Sequence, residues 1–183
     1  MELKETKISS EEIFKGVVVH LFVDKVMLPD GKQANREVLR HSGAVGIIPL
    51  TAENDVIMVR QFRYPFARAV LEIPAGKLEA GEDPLECAKR ELWEETGAEG
   101  GEFIYIGDAY SSPAIMDEVI SLYIAKGFTM EKQHLDPEEF INIEKIPLSE
   151  LTEMVSEGRI KDGKTQIAVL KANLYMQGHL KGL

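Results

Sequence analysis

The sequence predicts an α/β sandwich built on a mixed sheet. Three observations lead there. Short Val- and Ile-rich runs recur along the chain, and the helical segments are few and widely separated. Hydrophobic residues are 44% of 183, enough for one full core and too many for a disordered chain.

The elements follow in order. Gly16–Asp24 (GVVVHLFVD) reads as a strand, Leu28–Gly31 (LPDG) as a tight turn, and Arg36–His41 as the returning strand. Ser42-Gly43 is a joint. Residues 1–43 are thus expected to form a small antiparallel β unit, too small to bury much alone and packed on another surface. Residues 44–183 form the main domain. Ala44–Leu50 and Val56–Phe62 are strands joined by the turn Thr51–Asp55. Asp83 caps a helix, Pro84 fits its first position, Glu86 stands where a capping-box partner belongs, and Gly97 ends it. Strands are expected at Phe103–Gly107, Val119–Ala125 and Phe140–Ile146, and helices at Ser149–Ser156 and Thr165–Gln177.

Composition excludes several functions. The net charge of −10 and pI near 5.0 argue against a broad basic face for nucleic acid. The single Cys87 removes a disulfide framework and a thiolate zinc site, and the four His are scattered. No apolar run reaches the roughly 20 residues of a membrane span. The start MELKETKISSEEIF lacks the apolar stretch of a signal peptide, so the expected setting is cytoplasmic.

The Asp83–Gly97 helix carries the chemistry. Leu85, Ala88 and Leu92 define its core face. Glu91, Glu94 and Glu95 share an arc about 100° wide beside that face. No Lys or Arg lies inside the arc, and Arg90 is at its edge. Like charges at these spacings repel, and an inward carboxylate without a partner is costly. A hard divalent cation resolves both, since clustered carboxylate oxygens suit Mg²⁺. The loop Leu71–Glu82, with Gly76 and Gly81, allows close backbone approach to the same ion.

Gly76, Glu82 and the run Arg90-Glu91-Leu92-Trp93-Glu94-Glu95-Thr96-Gly97-Ala98 fit the spacing G-x5-E-x7-R-E-U-x-E-E-x-G-U, where U is apolar. This resembles the Nudix box at every fixed position, with Ala98 a small residue for the last U. Val59–Tyr64 and Leu71–Gly76 resemble the ADP-ribose and nucleotide-sugar pyrophosphatase branch, as does Pro113 after the box. That branch has Gly after this Pro; here it is Ala114.

The resemblance implies a Nudix-type α/β/α sandwich and Mg²⁺-dependent hydrolysis of ADP-ribose to AMP and ribose 5-phosphate, with Mn²⁺ as a substitute. Its alternatives are the same chemistry on ADP-glucose or GDP-mannose, and a non-catalytic module that senses ADP-ribose. It implies metal ligands at Glu91, Glu95 and the Ala75 carbonyl, with Glu94 as a further candidate. Arg90 braces the carboxylates and Glu82 fixes the loop. The general base comes from the loop Asp136–Glu139, Glu139 first and Glu138 next. For substrate, Arg63 suits a phosphate. Glu72 suits a ribose hydroxyl or the adenine edge. Arg36 and Val18 sandwich the adenine, and Glu118 and Pro113 lie toward the terminal ribose. Trp93 packs, and Met116 lines or shields the pocket. Similar proteins are homodimers through the N-terminal β unit.

Overall fold

A computed structural model describes residues 2–180. The chain folds as two compact units. One runs to Gly43 and includes Tyr110–Val119; the other holds Ala44–Ala109 and the chain from Ile120 onward. The segment Tyr110–Val119 therefore belongs with the N-terminal unit, although sequence order alone would assign it to the main domain.

The first unit is an antiparallel meander of β1 (Thr6–Lys15), β2 (His20–Met27) and β3 (Gln33–Arg40). The first strand begins earlier than expected. Gly16–Val19 is a turn, with the Gly16 N–H donating to the Val19 carbonyl at 2.8 Å. All ten residues of β1 are exposed, so no buried stripe marks it in the sequence. Backbone pairing to β2 holds it, across register shifts at Lys7/Ser9 and Glu12/Phe14. Buried Asp24 accepts from the Ser10 hydroxyl and from Arg40. Tyr110–Val119 is pinned to β3: the Leu39 N–H donates to Ile115 O at 2.7 Å, and the His41 N–H to Asp117 Oδ1 at 2.8 Å.

The second unit contains β4 (Ala44–Leu50), β5 (Asp55–Arg63), β6 (Arg68–Glu72), β7 (Ala75–Lys77), α1 (Pro84–Thr96), β8 (Ala98–Glu99), β9 (Glu102–Tyr110), β10 (Val119–Lys126), β11 (Thr129–Met130), β12 (Ile141–Pro147), α2 (Leu148–Ser156) and α3 (Gly163–Met176). Its sheet has the order β12-β5-β4-β10-β9, with β6 beside β5 and β7 beside β4. It is mixed: β4 runs parallel to β10, while β5 pairs antiparallel with β12 and β6.

All seven residues of β4 are buried, and their alternation separates two cores. Val45 and Ile47 face Cys87, Ala88 and Leu92 of α1. Ala44, Ile48 and Leu50 face the cluster of Leu148, Leu151, Ala168, Val169 and Ala172 from α2 and α3. The sheet thus lies between α1 and the α2–α3 pair, the expected α/β/α sandwich.

Local signals set α1. Asp83 accepts from the Leu85 and Glu86 N–H groups, Pro84 opens the helix, and Gly97 closes it at φ 73°. The reciprocal half of the capping box does not form. Glu86 instead pairs with Lys89 at 2.7 Å, one helical turn on.

Candidate active site

β7 and α1 build the acidic centre. Glu95 is buried, and its Oε2 accepts from the Ala75 N–H at 3.0 Å. Among the described residues it has no ion-pair partner. Burial pushes its carboxyl up to about 8, with the charges of Glu91 and Glu139 adding to the effect. Glu91 is raised for the same reasons, burial first and then Glu94 and Glu139, against the opposing pull of Arg90. Its carboxyl lies against Gly76, where a Cβ would overlap it. Gly is needed at 76 because a carboxylate occupies the space a side chain would take.

The arc is not free of cations, as the helical wheel suggests. Arg90 reaches round from its edge: Nη1 donates to Glu91 Oε1 at 2.8 Å and to Glu94 Oε2 at 3.0 Å. Its Nε and Nη2 clasp both oxygens of Glu82 at 2.9 Å, which holds that carboxyl down to about 2. Glu82 also accepts from the Glu79 N–H at 2.9 Å and closes the preceding loop. Arg90 and Glu82 thus brace the loop against the helix. With Glu91 and Glu94 turned toward Arg90, no three acidic, His or Cys side chains converge as a ready ion cage among the described residues. Of Glu82, Glu91, Glu94 and Glu95, the last alone has no ion pair among the described residues.

The 136–139 loop is tethered beside this centre: just before it the His134 N–H donates to Glu94 O at 2.8 Å and Gln133 Nε2 to Glu95 O at 2.7 Å, and the charge of Glu139 adds to the raised values of Glu91 and Glu95. It is a closed turn: the Glu139 N–H donates to Asp136 O at 2.9 Å, and the Asp136 N–H to Glu139 Oε2 at 3.3 Å. Glu138 and Glu139 are both exposed.

Arg63 and Glu72, assigned separately to substrate by the sequence, meet each other. Arg63 Nε and Nη2 donate to the two oxygens of Glu72, each at 2.7 Å. Lys164, at the start of α3, bonds Glu72 as well and lies 3.1 Å from Asp162. Burial pushes the Glu72 carboxyl up, but Arg63 and Lys164 outweigh it, and it ends below its ordinary value. Glu72 thus accepts three bonds from protein cations, two of them on Oε2, so its first role is to hold Arg63 and Lys164 together. Arg63 stays partly exposed, and among the described residues its Nη1 has no acceptor. Lys164 escaped the sequence reading because the pair joins positions 92 apart.

The remaining expected residues lie in the first unit. Arg36 Nε and Nη2 donate to Glu5 at 2.9 and 2.6 Å, which occupies its fork and leaves its flat faces. Val18 is exposed in the β1–β2 turn. Pro113, Met116 and Glu118 are on the segment pinned to β3, and Glu118 Oε1 is 3.5 Å from His41 Nδ1. Trp93 stacks on His134 with ring centroids 3.8 Å apart. A cleft of about 530 Å³ runs along the outer side of α1, between Trp93, Lys89 and Gly100, and does not include Glu91 or Glu95.

The model of the NUDIX domain matches residues 40–166. The chain is 46% identical over 168 residues to the methanol dehydrogenase activator of Bacillus methanolicus, with 91% of each chain covered. It is 41% identical over 169 residues to the ADP-ribose pyrophosphatase of Bacillus subtilis (strain 168), again with 91% of each covered. A crystal structure of an ADP compounds hydrolase superposes with a TM-score of 0.85, covering 98% of this chain and 100% of that one at 19% identity, which shows the fold. With the box complete from Gly76 to Ala98, the chain belongs to the Nudix family, in the branch of the ADP-ribose pyrophosphatases, and is a Nudix pyrophosphohydrolase.

Proposed function

We propose that the protein hydrolyses the pyrophosphate of ADP-ribose to AMP and ribose 5-phosphate, with Mg²⁺ as cofactor and Mn²⁺ as a substitute. One observation carries the reading: among the described residues buried Glu95 has no ion-pair partner, beside Glu91, Gly76 and the Ala75 backbone. That donor set fits a hard divalent ion, which prefers carboxylate and carbonyl oxygens. Glu91, Glu95 and the Ala75 carbonyl would hold it, with Glu94 completing the set. The ion supplies charge neutralisation at phosphorus and a more acidic water.

The protein's own groups do the rest. Glu139 takes the proton of the attacking water on a carboxylate oxygen, with Glu138 as the neighbouring alternative. Arg63 offers Nη1 to a phosphate oxygen while Glu72 and Lys164 keep its fork from swinging away. Arg90 holds Glu91 and Glu94 in place until the substrate and ion arrive. Arg36 and Val18 face the adenine, and Glu118 and Pro113 the terminal ribose.

Residues 1–43 serve as the dimerisation element and 44–183 as the hydrolase domain. The edge strand β1 supports this, since it exposes Ile8, Ile13 and Phe14 and leads into the exposed Val17–Val19 turn. A long edge with apolar residues invites a partner. Light scattering should give about twice the chain mass of 20.4 kDa. If Arg36 and Val18 reach the adenine across the dimer, as the resemblance implies, a monomer fully active at every concentration overturns that shared site. Among the described residues no helix is long and apolar enough to cross a membrane.

The substrate is tested by turnover of ADP-ribose, ADP-glucose and GDP-mannose with Mg²⁺ and with excess chelator, following AMP release. ADP-ribose should have the highest kcat/KM, and chelator should abolish hydrolysis. A higher kcat/KM for another sugar overturns the substrate, and full activity in chelator overturns the mechanism.

A further inference from the structure

The segment between β11 and the 136–139 loop runs back over the C-terminal end of α1. The last carbonyls of a helix have no partners within it. Here the returning segment supplies several. The Glu131 N–H donates to Gly97 O at 2.7 Å, and the His134 N–H to Glu94 O at 2.8 Å. Gln133 Nε2 donates to Glu95 O at 2.7 Å and to Ile141 O at 3.3 Å. At Gly97 a Cβ would overlap the carbonyls of Glu131 and Lys132, so only glycine lets the segment approach so closely.

Two side chains complete the attachment. The His134 ring lies flat on Trp93, with an interplanar angle of 14°. Gln133 touches both ends of the excursion: Glu95 lies on the helix that anchors it, and Ile141 opens β12 directly after Glu139 and Phe140. The residues from Leu135 to Phe140 are thus a short arch whose feet one side-chain amide draws together.

We propose that Gln133 and the Trp93–His134 stack form a clasp that positions the 136–139 arch, and with it the Glu139 carboxylate, over the Glu91–Glu95 centre. Neither Gln133 nor Trp93 touches the reacting atoms; both are positioning residues. The clasp also accounts for a partly exposed Trp inside the box. Trp93 points away from the glutamates because its ring holds the foot of the arch that faces them. The inference rests on Glu139 as the base, since the clasp has catalytic meaning only if the arch carries a reacting group.

The test compares Gln133→Ala, Trp93→Ala, Trp93→Phe, Glu139→Gln and Glu138→Gln on the full chain, with ADP-ribose and Mg²⁺. A misplacement of about 1 Å can cost around 10²-fold. Gln133→Ala and Trp93→Ala should therefore lower kcat roughly 10–100-fold. KM, the Mg²⁺ concentration for half-maximal rate, and Tm should stay near wild type. Trp93→Phe keeps an aromatic face for His134 and should restore most of the rate, which general loss of packing would not. An impaired Glu139→Gln beside unimpaired Gln133→Ala and Trp93→Ala overturns the clasp alone. Full turnover in Glu139→Gln with a loss in Glu138→Gln moves the base along the arch and overturns the placement of Glu139; full turnover in both overturns the clasp with it. A loss in kcat matched by an equal rise in KM or a collapse in Tm also overturns the clasp, because the residues would then be supporting the fold.

Discussion

Glu95→Gln is expected to lose several orders of magnitude in turnover and, without divalent ions, to be more stable than the wild type. The first effect follows if Glu95 is the metal ligand proposed above, because the substitution removes its negative charge from the centre of the acidic site. The second follows from burial. Burial pushes the Glu95 carboxyl up to about 8, and against this the folded protein sets one backbone N–H and the distant charge of Lys164, with no ion-pair partner among the described residues. Below about pH 4.5 the group is protonated in both folded and unfolded chains and contributes nothing. As the pH rises toward 8, the unfolded chain releases the proton while the folded chain holds it, so wild-type stability falls across that window. Glutamine has the same shape and no such penalty. The Tm advantage of Glu95→Gln in chelator should be near zero at pH 4.5 and reach several degrees by pH 8.5, since a chain of this size gains about 2–4 °C per kcal/mol. Added Mg²⁺ should raise the wild-type Tm and narrow the gap. A variant that is less stable than wild type in chelator at pH 8.5 would show that Glu95 is compensated, and the metal assignment would lose its support.

Glu139→Gln carries the second large effect. The residue is exposed, so the substitution should leave Tm unchanged. Loss of a general base typically costs about 10²–10⁴-fold, and kcat should fall by that order with little change in KM. Glu138→Gln should be much milder. Gln133 ties the foot of the loop to Glu95 O, so the loop stands beside the Glu91–Glu95 carboxylates, where a base is needed if the attacked phosphorus lies over them. Reversed effects at the two positions move the base to Glu138. If neither substitution matters, the arch is a solvated turn, and the base is a box glutamate or a metal-bound hydroxide acting alone.

The sequence by itself determined the sandwich, the main helix and the box. These rest on short-range physics. Asp83 reaches amides two and three residues on, Gly97 adopts a left-handed φ, and β4 alternates every second residue between two cores. The same reading missed β1, β6, β7, β8 and β11. Four of these have five residues or fewer, and β1 is wholly exposed, so pairing with a distant strand defines them rather than any stripe of their own. Three features of the site were decided only by tertiary structure. Arg90 is a long side chain at the edge of the arc, and packing against Glu82 turns it onto Glu91 and Glu94. Glu72 and Arg63 each look free in sequence, yet α3 brings Lys164 across 92 positions to join them in one partly buried ion network. Gln133 is unmarked by any motif. It matters because the chain returns along the end of α1, where unpaired carbonyls wait for a donor that helix geometry cannot supply from within.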